Sequence, residues 1–409
     1  MVDILVEISG SPVHQSGECA YHCGRTLFQG EEKLKILIDA HLSENKITGI
    51  GRYLNGLLTA LVEQDGVNDY HILIRNDLAD HHPLRVLQSP NVSKIGVDLR
   101  GVHPVNQILL NRLIGRIRPD VYHHPHFDMP LFRGKGSVVT IHDLKYIRHP
   151  YFFPEFSRAK RFYMKAIMKR AVLGAQCVIA ASMNTKNDLI DIFKVSQDKI
   201  DVVYHGLEKM FVVKGTRGEH ASIREKYGIR DKFILFVGER RPHKNLVTLM
   251  NAFNAVKNNL HGTLKLVIIG KRYANYVAPE ERARQLNLKG SVIFLDSVSD
   301  DELGEFYENA ELLVLPSHYE GFGFPLIEAM SRGIPVLAGN NTSMPEVVGE
   351  AGLLVDSHSS ADIAGKILNI LKNEHASRDL VRKGLENIKR FTWEKAAKNT
   401  LKVYHNIHG

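Results

Sequence analysis

The sequence predicts an α/β protein made of two Rossmann-like domains, each a largely parallel sheet with helices on its faces. Short apolar runs, typical of strands that are buried on both faces, alternate with longer segments of helical character. This alternation occurs twice, before and after a stretch near residue 210 whose glycines show no periodicity. With 409 residues the chain is long enough for two domains, each with its own core.

The strands are predicted from these apolar runs. In the first half they are residues 34–39, 71–74, 121–123, 137–141 and 177–180, and in the second half 233–237, 266–269, 292–295, 312–315 and 335–338. Helices are expected at residues 52–61, in a segment ending near Arg118, and at residues 393–405. Because helical segments separate the strands, neighbouring strands are expected to run parallel.

The same signals give the domain boundaries. Residues 1–32 precede the first strong strand and are predicted to be an N-terminal extension. Residues 33–206 form the first domain, residues 207–220 a linker, and residues 221–392 the second domain. In the extension, two cysteines lie near two histidines, but no second ligand pair follows at zinc-finger spacing. Ordinary thiols are therefore favoured over a metal clip, and no metal site is predicted.

Composition narrows the class of protein. A hydrophobic content of 44% and a charged content of 24% are ordinary for a globular protein. No apolar stretch approaches the roughly 18–20 residues that span a bilayer, and the first residues lack the pattern of a secretion signal. We therefore expect a cytoplasmic protein.

The basic charge is concentrated in one part of the chain. The formal net charge is +8, and residues 101–186 hold 14 Lys and Arg residues against 4 acids. Such a segment attracts nucleic acid, anionic lipid or a phosphorylated acceptor, and charge alone does not choose among them. Because the chain has no recognisable nucleic-acid motif, an anionic membrane surface at the inner face of the membrane is the preferred partner.

Two glutamates flank a glycine loop directly after a predicted buried strand. Glu320 precedes the loop Gly321-Phe322-Gly323, and seven residues separate it from Glu328. A glycine loop at a helix start offers unpaired N–H groups to an anion, and carboxylates accept hydrogen bonds from ligand hydroxyls. Phosphate and polyol chemistry together indicate a sugar nucleotide.

This spacing resembles the retaining glycosyltransferases of family 4, which have the GT-B fold, in which two Rossmann-like domains face a central cleft. The resemblance extends from about Lys33 to the end of the chain. Further motifs support it in order: Thr48-Gly49-Ile50-Gly51-Arg52-Tyr53, Thr140-Ile141-His142-Asp143-Leu144, Val203-Tyr204-His205-Gly206, Pro242-His243-Lys244-Asn245 and Phe391-Thr392-Trp393-Glu394. The resemblance implies that the second domain holds the nucleotide and that residues 393–409 form a helix returning to the first domain.

The family's diphosphate ligands match this sequence in part. A lysine and a preceding arginine hold the donor diphosphate in the family, and Lys244 matches the lysine. The position of the arginine holds Glu239, so Arg240 or Arg241 must replace it. We choose Arg240 as the catalytic partner of Lys244 and keep Arg241 as a further donor-binding candidate.

The resemblance also assigns the sugar and ribose contacts. It implies that Glu328 binds the ribose hydroxyls, that Glu320 contacts the donor sugar, and that the N–H groups of Gly321, Phe322 and Gly323 face the sugar or the diphosphate. Catalytic roles are expected for His142, Glu320, Arg240 and Lys244.

Residues of the first domain complete the expected site. His142 matches the family's active-site histidine, which approaches the donor sugar, and Asp143 either orients its imidazole or caps a helix. Gly49 and Gly51 are expected in a loop before the first helix, close to a phosphate or the acceptor. His205 is a weaker candidate for lining the cleft.

The sequence thus predicts a retaining hexosyltransferase. The donor is expected to be a nucleotide sugar, with GDP-mannose as first choice, and the acceptor a glycan or a lipid-linked glycan. No cofactor or metal is expected, because the basic loop offers the charge that a metal would supply. A sugar-nucleotide epimerase on the same fold is the alternative, and a non-enzymatic nucleic-acid-binding protein is a weaker one.

Overall fold

The computed structural model describes residues 32–45, 48–99, 104–130, 136–208, 211, 223–260, 263–273 and 276–408. The expected N-terminal extension, with Cys19 and Cys23, lies outside the described residues except for Glu32. The expected linker also lies outside them, except for Leu207, Glu208 and Phe211.

Within the described residues, the first sheet has seven strands, all parallel. They are β1 (Lys35–Asp39), β2 (Asp69–Arg75), β3 (Val92–Val97), β4 (Val121–His124), β5 (Ser137–Ile141), β6 (Cys177–Ala180) and β7 (Ile200–Val202). Their order across the sheet is β3-β2-β1-β4-β5-β6-β7.

The second sheet has six strands in the part of the chain that the structure describes and is also parallel throughout. They are β8 (Lys232–Val237), β9 (Leu264–Ile269), β10 (Val292–Leu295), β11 (Leu312–Leu315), β12 (Val336–Gly339) and β13 (Leu353–Val355). Their order is β10-β9-β8-β11-β12-β13. Both sheets are those of doubly wound α/β domains, so the predicted fold class is confirmed.

Helices connect the strands. In the first domain they are Gly49–Gln64, Pro83–Val86, Pro104–Ile117, Lys145–Arg148, Arg158–Gly174 and Met183–Phe193. In the second they are Ile223–Lys226, Leu246–Asn258, Ala278–Gln285, Asp300–Asn309, Phe324–Ser331, Met344–Val348, Ser360–Lys372 and Glu374–Asn387, and the terminal helix is Trp393–His408. Among the described residues, no helix combines the length and the apolar character needed to cross a bilayer.

The terminal helix packs on the first domain. Its residues Trp393, Ala397 and Tyr404 belong to the core that also contains the helix Gly49–Gln64. Gly56 faces the indole so closely that a Cβ there would lie 2.0 Å from Trp393. At the far end, the Tyr404 hydroxyl lies 2.6 Å from His123 Nδ1, which joins this helix to β4.

Each sheet contains a point at which the strand order reverses. In the first sheet this point lies between β1 and β4, and in the second between β8 and β11. Connections on either side of such a point leave toward opposite faces, which opens a crevice at the carboxyl ends of the strands. The loops after β4, β5, β8 and β11 all reach the same space between the domains.

Candidate functional site

A cavity of about 550 Å³ lies between the two domains. Both domains contribute to its walls. The lining residues include Thr48, Gly49, His126, Phe127, His142, Lys145 and His205 from the first domain, and Lys244, Glu320, Gly321, Phe322, Gly323 and Phe324 from the second.

The structure brings Lys244 and Glu320 together. The Lys244 ammonium nitrogen lies 2.6 Å from Glu320 Oε1, and the Ser317 hydroxyl donates to the same oxygen at 2.7 Å. Asn245 holds the lysine loop in place, because its amide donates to the carbonyl of Pro316 at 2.9 Å, beside the end of β11. Two loops predicted separately from the sequence therefore form one charged pair at the reversal point of the second sheet.

The glycine loop lets the two domains approach closely. A Cβ at Gly321 would lie 2.4 Å from the carbonyl oxygen of His142, so only glycine fits without a shift of the first domain. Gly323 has φ +103°, a left-handed conformation that glycine adopts readily, and it precedes the helix Phe324–Ser331. The loop thus places the start of that helix against the cavity.

His142 is held in a buried cluster. Its Nε2 lies 2.9 Å from the carbonyl oxygen of Pro125 and its Nδ1 lies 3.3 Å from Nε2 of His205. The Tyr53 ring packs edge-on against it, with centroids 4.8 Å apart. Burial lowers the pKa of His142 to about 4, and burial also holds the pKa of His205 well below its ordinary value. Both imidazoles are neutral at pH 7.

Two roles are expected for Asp143, orienting the His142 imidazole or capping a helix, and among the described residues its carboxylate bonds to Lys145, the first residue of the helix Lys145–Arg148, rather than to the imidazole. Asp143 accepts from the Lys145 ammonium at 2.8 Å and from the Lys145 backbone N–H at 3.2 Å. The carboxylate is committed to this lysine, while the Pro125 carbonyl orients the imidazole instead. Burial lowers the pKa of Lys145, but Asp143 outweighs burial and the net shift is upward, so Lys145 stays charged. Sequence reasoning missed Lys145, although a basic residue three positions after a strand-end histidine was a usable signal.

The two candidate arginines point to different places. Arg241 lines a pocket of about 210 Å³ together with Lys145, Lys244 and Glu320. Arg240 is 3% exposed and lines a separate pocket with Glu280 and Asp296, to both of which it is ion-paired. The structure therefore places Arg241, rather than the preferred Arg240, beside Lys244.

Glu328 is buried away from the cavity-lining residues. One of its carboxylate oxygens pairs with Arg52 of the first domain, and the other accepts from the Tyr307 hydroxyl at 2.7 Å. Its side chain is only 3% exposed. No local sequence pattern indicates that Arg52 reaches it.

Gly49 and Gly51 are expected in a loop before the first helix. The structure instead places both in the first turn of that helix. The helix begins at Gly49 because the Thr48 side chain caps it, accepting the Gly51 N–H at 3.1 Å. Gly49 lines the cavity, whereas Gly51 is buried and is not among the lining residues. His205 lines the cavity as expected, with its ring stacked on Phe324.

Two family models match the chain and together cover most of it. Residues 47–209 match the model described as Glycosyltransferase Family 4, and residues 219–387 match the model described as Glycosyl transferases group 1. Both models describe glycosyltransferases, so neither supports the alternative of a sugar-nucleotide epimerase. No cluster of three or more His, Cys, Asp or Glu side chains suited to a metal ion occurs among the described residues.

Individual relatives agree with the family models. The O-antigen chain mannosyltransferase B of Escherichia coli is 26% identical over 386 residues, covering 91% of this chain and 99% of that protein. The serotype-specific mannosyltransferase WbdA of Escherichia coli is 26% identical over 89% of this chain, which spans only 47% of that longer protein. Sucrose-phosphate synthase from Thermosynechococcus elongatus has the same fold, with a TM-score of 0.69, 19% identity and coverage of 91% of this chain and 98% of that chain.

Proposed function

Because the chain belongs to the GT-B glycosyltransferases with family 4 and group 1 domains, we propose that it moves mannose from GDP-mannose to a glycan with retention of the anomeric configuration. The observation that carries this proposal is the pairing of Lys244 with Glu320 at the reversal point of the second sheet, facing His142 across the cavity. The proposed donor site therefore adjoins the part of the cavity in which the sugar would be transferred.

The donor diphosphate is assigned to the pocket beside Lys244. Lys145, Arg241 and Lys244 line it together with their carboxylate partners Asp143, Glu239 and Glu320, and the three cations offer N–H donors that a diphosphate shares with those partners. Lys145 and Lys244 are tied to Asp143 and Glu320 respectively, so each ammonium is already positioned to receive a phosphate oxygen. This charge takes the part that a divalent cation plays in other transferases, and we therefore expect the reaction to need no metal.

The donor sugar is assigned to the space between Glu320 and the glycine loop. Glu320 is 12% exposed and accepts sugar hydroxyls with the lone pairs that Lys244 and Ser317 leave free. The ribose is assigned to Glu328, as the family resemblance implies. Since Arg52 and Tyr307 already bond both oxygens of Glu328, the ribose hydroxyls must share or replace the Arg52 contact.

The proposed reaction is a front-face displacement. The acceptor oxygen bonds to the anomeric carbon, and the bond from that carbon to the diphosphate oxygen breaks with its electron pair leaving on the diphosphate. The acceptor proton passes to that oxygen. Lys145, Arg241 and Lys244 stabilise the charge that develops there, which is the interaction that accelerates the step. The buried, neutral His142 contributes the shape of the cavity wall beside the sugar rather than charge, because both of its ring nitrogens have protein partners.

The choice of mannose and of a glycan acceptor rests on relatives. The two curated relatives described above are named as mannosyltransferases, one of them of the O-antigen chain. A growing O-antigen type polymer is therefore the acceptor that we propose, with the enzyme working at the cytoplasmic face of the membrane.

A surface on the first domain supports membrane attachment. Along the helix Arg158–Gly174, one exposed stripe contains Arg158, Phe162, Lys165, Lys169 and Leu173, spaced by three or four residues. Phe162 is 77% exposed and Leu173 is 45% exposed. Basic and apolar groups on one exposed face suit an anionic leaflet, because the basic groups contact the lipid headgroups and the apolar side chains enter the interface. Arg161 follows Arg158 at helical spacing, but it donates to the Phe153 carbonyl at 3.0 Å and is half-buried, so it is not part of the stripe.

The proposal is tested with a panel of radiolabelled nucleotide sugars and alkyl glycosides. GDP-mannose should support the fastest transfer, and the product linkage should be α when analysed by NMR. Preference for another nucleotide sugar would overturn the donor assignment, a β-linked product would overturn retention, and no transfer from any donor would overturn the proposed function.

A further inference from the structure

Besides His142 and His205, a third histidine of the first domain lines the cavity and has no part in the proposed donor site. His126 follows β4 at the carboxyl edge of the first sheet, next to the point where the strand order reverses. It lines the same cavity as Thr48 and Gly49, with a side chain that is 15% exposed. The ring of Phe127, which also lines the cavity, lies 4.0 Å from the imidazole centroid.

A buried carboxylate fixes the orientation of this imidazole. Nδ1 of His126 lies 2.6 Å from Oδ1 of Asp128, whose side chain is 3% exposed. A carboxylate can only accept, so Nδ1 carries the hydrogen, and in the corresponding neutral tautomer of the ring Nε2 is the acceptor. Among the described residues, no partner for Nε2 is found.

The carboxylate is in turn held by a buried network. Nε2 of His124 lies 3.0 Å from the same Asp128 oxygen, and Nδ1 of His124 lies 3.1 Å from Asp39. Burial lowers the pKa of His124, but its hydrogen bonds to Asp128 and Asp39 outweigh burial and raise the pKa to about 9. A charged His124 keeps Asp128 ionised, so the tautomer of His126 is set by groups that the solvent does not reach.

His142 differs from His126 in the partners of its ring nitrogens. Both of its ring nitrogens already have protein partners, Pro125 and His205, at 2.9 and 3.3 Å. His126 has a nitrogen free at the cavity, and that nitrogen belongs to the first domain, opposite Lys244 and Glu320. The donor site does not need it.

The geometry points to His126 as an acceptor-binding residue, oriented by Asp128, whose Nε2 accepts a hydrogen bond from a hydroxyl of the acceptor sugar. The assignment rests on the proposed function, because it takes the donor to lie in the second domain. Phe127 supplies an apolar face for the C–H groups of the same sugar. Asp128 acts through His126 and is a positioning residue.

Two substitutions separate the two nitrogens of this ring. In His126→Asn the amide reaches the position of Nδ1, so the contact to Asp128 persists but the cavity-facing acceptor is lost. In His126→Gln the longer side chain returns a polar atom near the position of Nε2. We expect transfer from GDP-mannose to the best alkyl glycoside of the panel to fall about 100-fold in His126→Asn and about tenfold in His126→Gln.

Hydrolysis of GDP-mannose without an acceptor identifies which substrate is affected. This rate and the Kd for GDP, measured by calorimetry, should stay within about twofold of the unsubstituted protein in both variants. His81→Asn, an exposed histidine of the same domain, is the matched control and should change nothing.

Three outcomes would overturn the assignment. Transfer that survives His126→Asn shows that Nε2 has no role, and an equal loss of hydrolysis and transfer shows that His126 acts on the donor. Two equally inactive variants with lowered melting temperatures show a structural role alone. Absence of transfer by the unsubstituted protein is a different result, because it contradicts the proposed function itself.

Discussion

Arg52 of the first domain forms a buried ion pair with Glu328 of the second. The two residues are 276 positions apart, and their side chains are 19% and 3% exposed. Arg52 also lies near Glu208 and Asp300, at 3.9 and 3.8 Å. Burial lowers the pKa of Arg52, but Glu328 and the other acids outweigh it and raise the pKa. The pair thus ties the first helix of one domain to the helix after the glycine loop of the other.

Replacing Arg52 should destabilise the protein. Arg52→Met removes one partner of a buried pair and leaves Glu328 with Tyr307 alone, which costs on the order of 3 kcal/mol. Urea unfolding measures this loss. Arg378→Met is the control, since its pair with Glu374 is largely exposed and is expected to contribute less than about 1 kcal/mol. Equal losses of unfolding free energy in the two variants would show that the interdomain pair stabilises the protein no more than an exposed pair does.

The cationic residues of the second domain should differ in their effect on catalysis. Lys244→Ala and Arg241→Ala should each lower kcat about 100-fold or more, since both line the proposed diphosphate pocket and act on charge that grows in the transition state. Arg240→Ala should leave kcat within about tenfold, because Arg240 pairs with Asp296 and Glu280 outside that pocket. Steady-state kinetics, with melting temperature as the folding control, measures all three. A larger loss in Arg240→Ala than in Arg241→Ala would reverse the assignment.

Sequence patterns predicted best the strands that are continuous apolar runs, including the edge strand β10. β5 and β6 have the predicted bounds, because strands buried on both faces are continuous apolar runs. β3 was missed, since an edge strand with one exposed face tolerates Ser93, Lys94 and Gly96. β7 and β13 are three residues long, too short for a period to be recognised.

The sequence predicted the site residues that lie in single loops after strands. It did not predict the contacts that form where the two domains meet. His142, Lys244 and Glu320 each follow a strand, so their convergence follows from parallel sheets. Arg52 and Glu328 meet only through the interdomain geometry, which no local pattern records. The dyad of His126 and Asp128 is local in sequence, but only the folded structure shows that burial is outweighed by histidine contacts, which lower the pKa of Asp128, and that His126 lines the cavity.

Stability should be greatest near pH 6.5 and fall on both sides. Burial lowers the pKa of His142 to about 4 and that of His123 to about 3, so below pH 6.5 the unfolded chain binds protons that the folded protein does not. This contribution is lost as the pH falls from about 6.5 toward 4. The pKa of His124 rises to about 9, so its contribution is present below pH 6.5 and lost as the pH rises to 9.

Urea unfolding at pH 5, 6.5 and 8.5 measures these slopes. Each shifted histidine adds up to about 1.4 kcal/mol per pH unit within its window. In His124→Asn the decline between pH 6.5 and 9 should flatten, whatever the absolute loss of stability. An unchanged alkaline slope would show that another group is responsible.

Transfer should persist in EDTA. Lys145, Arg241 and Lys244 surround the proposed diphosphate pocket and supply its neutralising charge. Initial rates measured in EDTA at a concentration on the order of 10 mM should match those in buffer without EDTA within about twofold. Loss of activity that manganese or magnesium restores would reveal a metal-dependent step.

The first domain should bind anionic vesicles through the exposed stripe of the helix Arg158–Gly174. Each basic group near an anionic leaflet contributes about 1 kcal/mol, so replacing Arg158, Lys165 and Lys169 by Gln should weaken binding about 100-fold. Phe162→Ser should weaken it further, because the ring is 77% exposed and leaves water on insertion. Co-sedimentation with phosphatidylserine vesicles at rising salt measures the effect. Arg378→Gln with Arg382→Gln removes charges that are 71% and 72% exposed on the second domain and serves as the control. If that pair weakens binding as much as the stripe variant does, attraction is a matter of net charge and the stripe is not the docking surface.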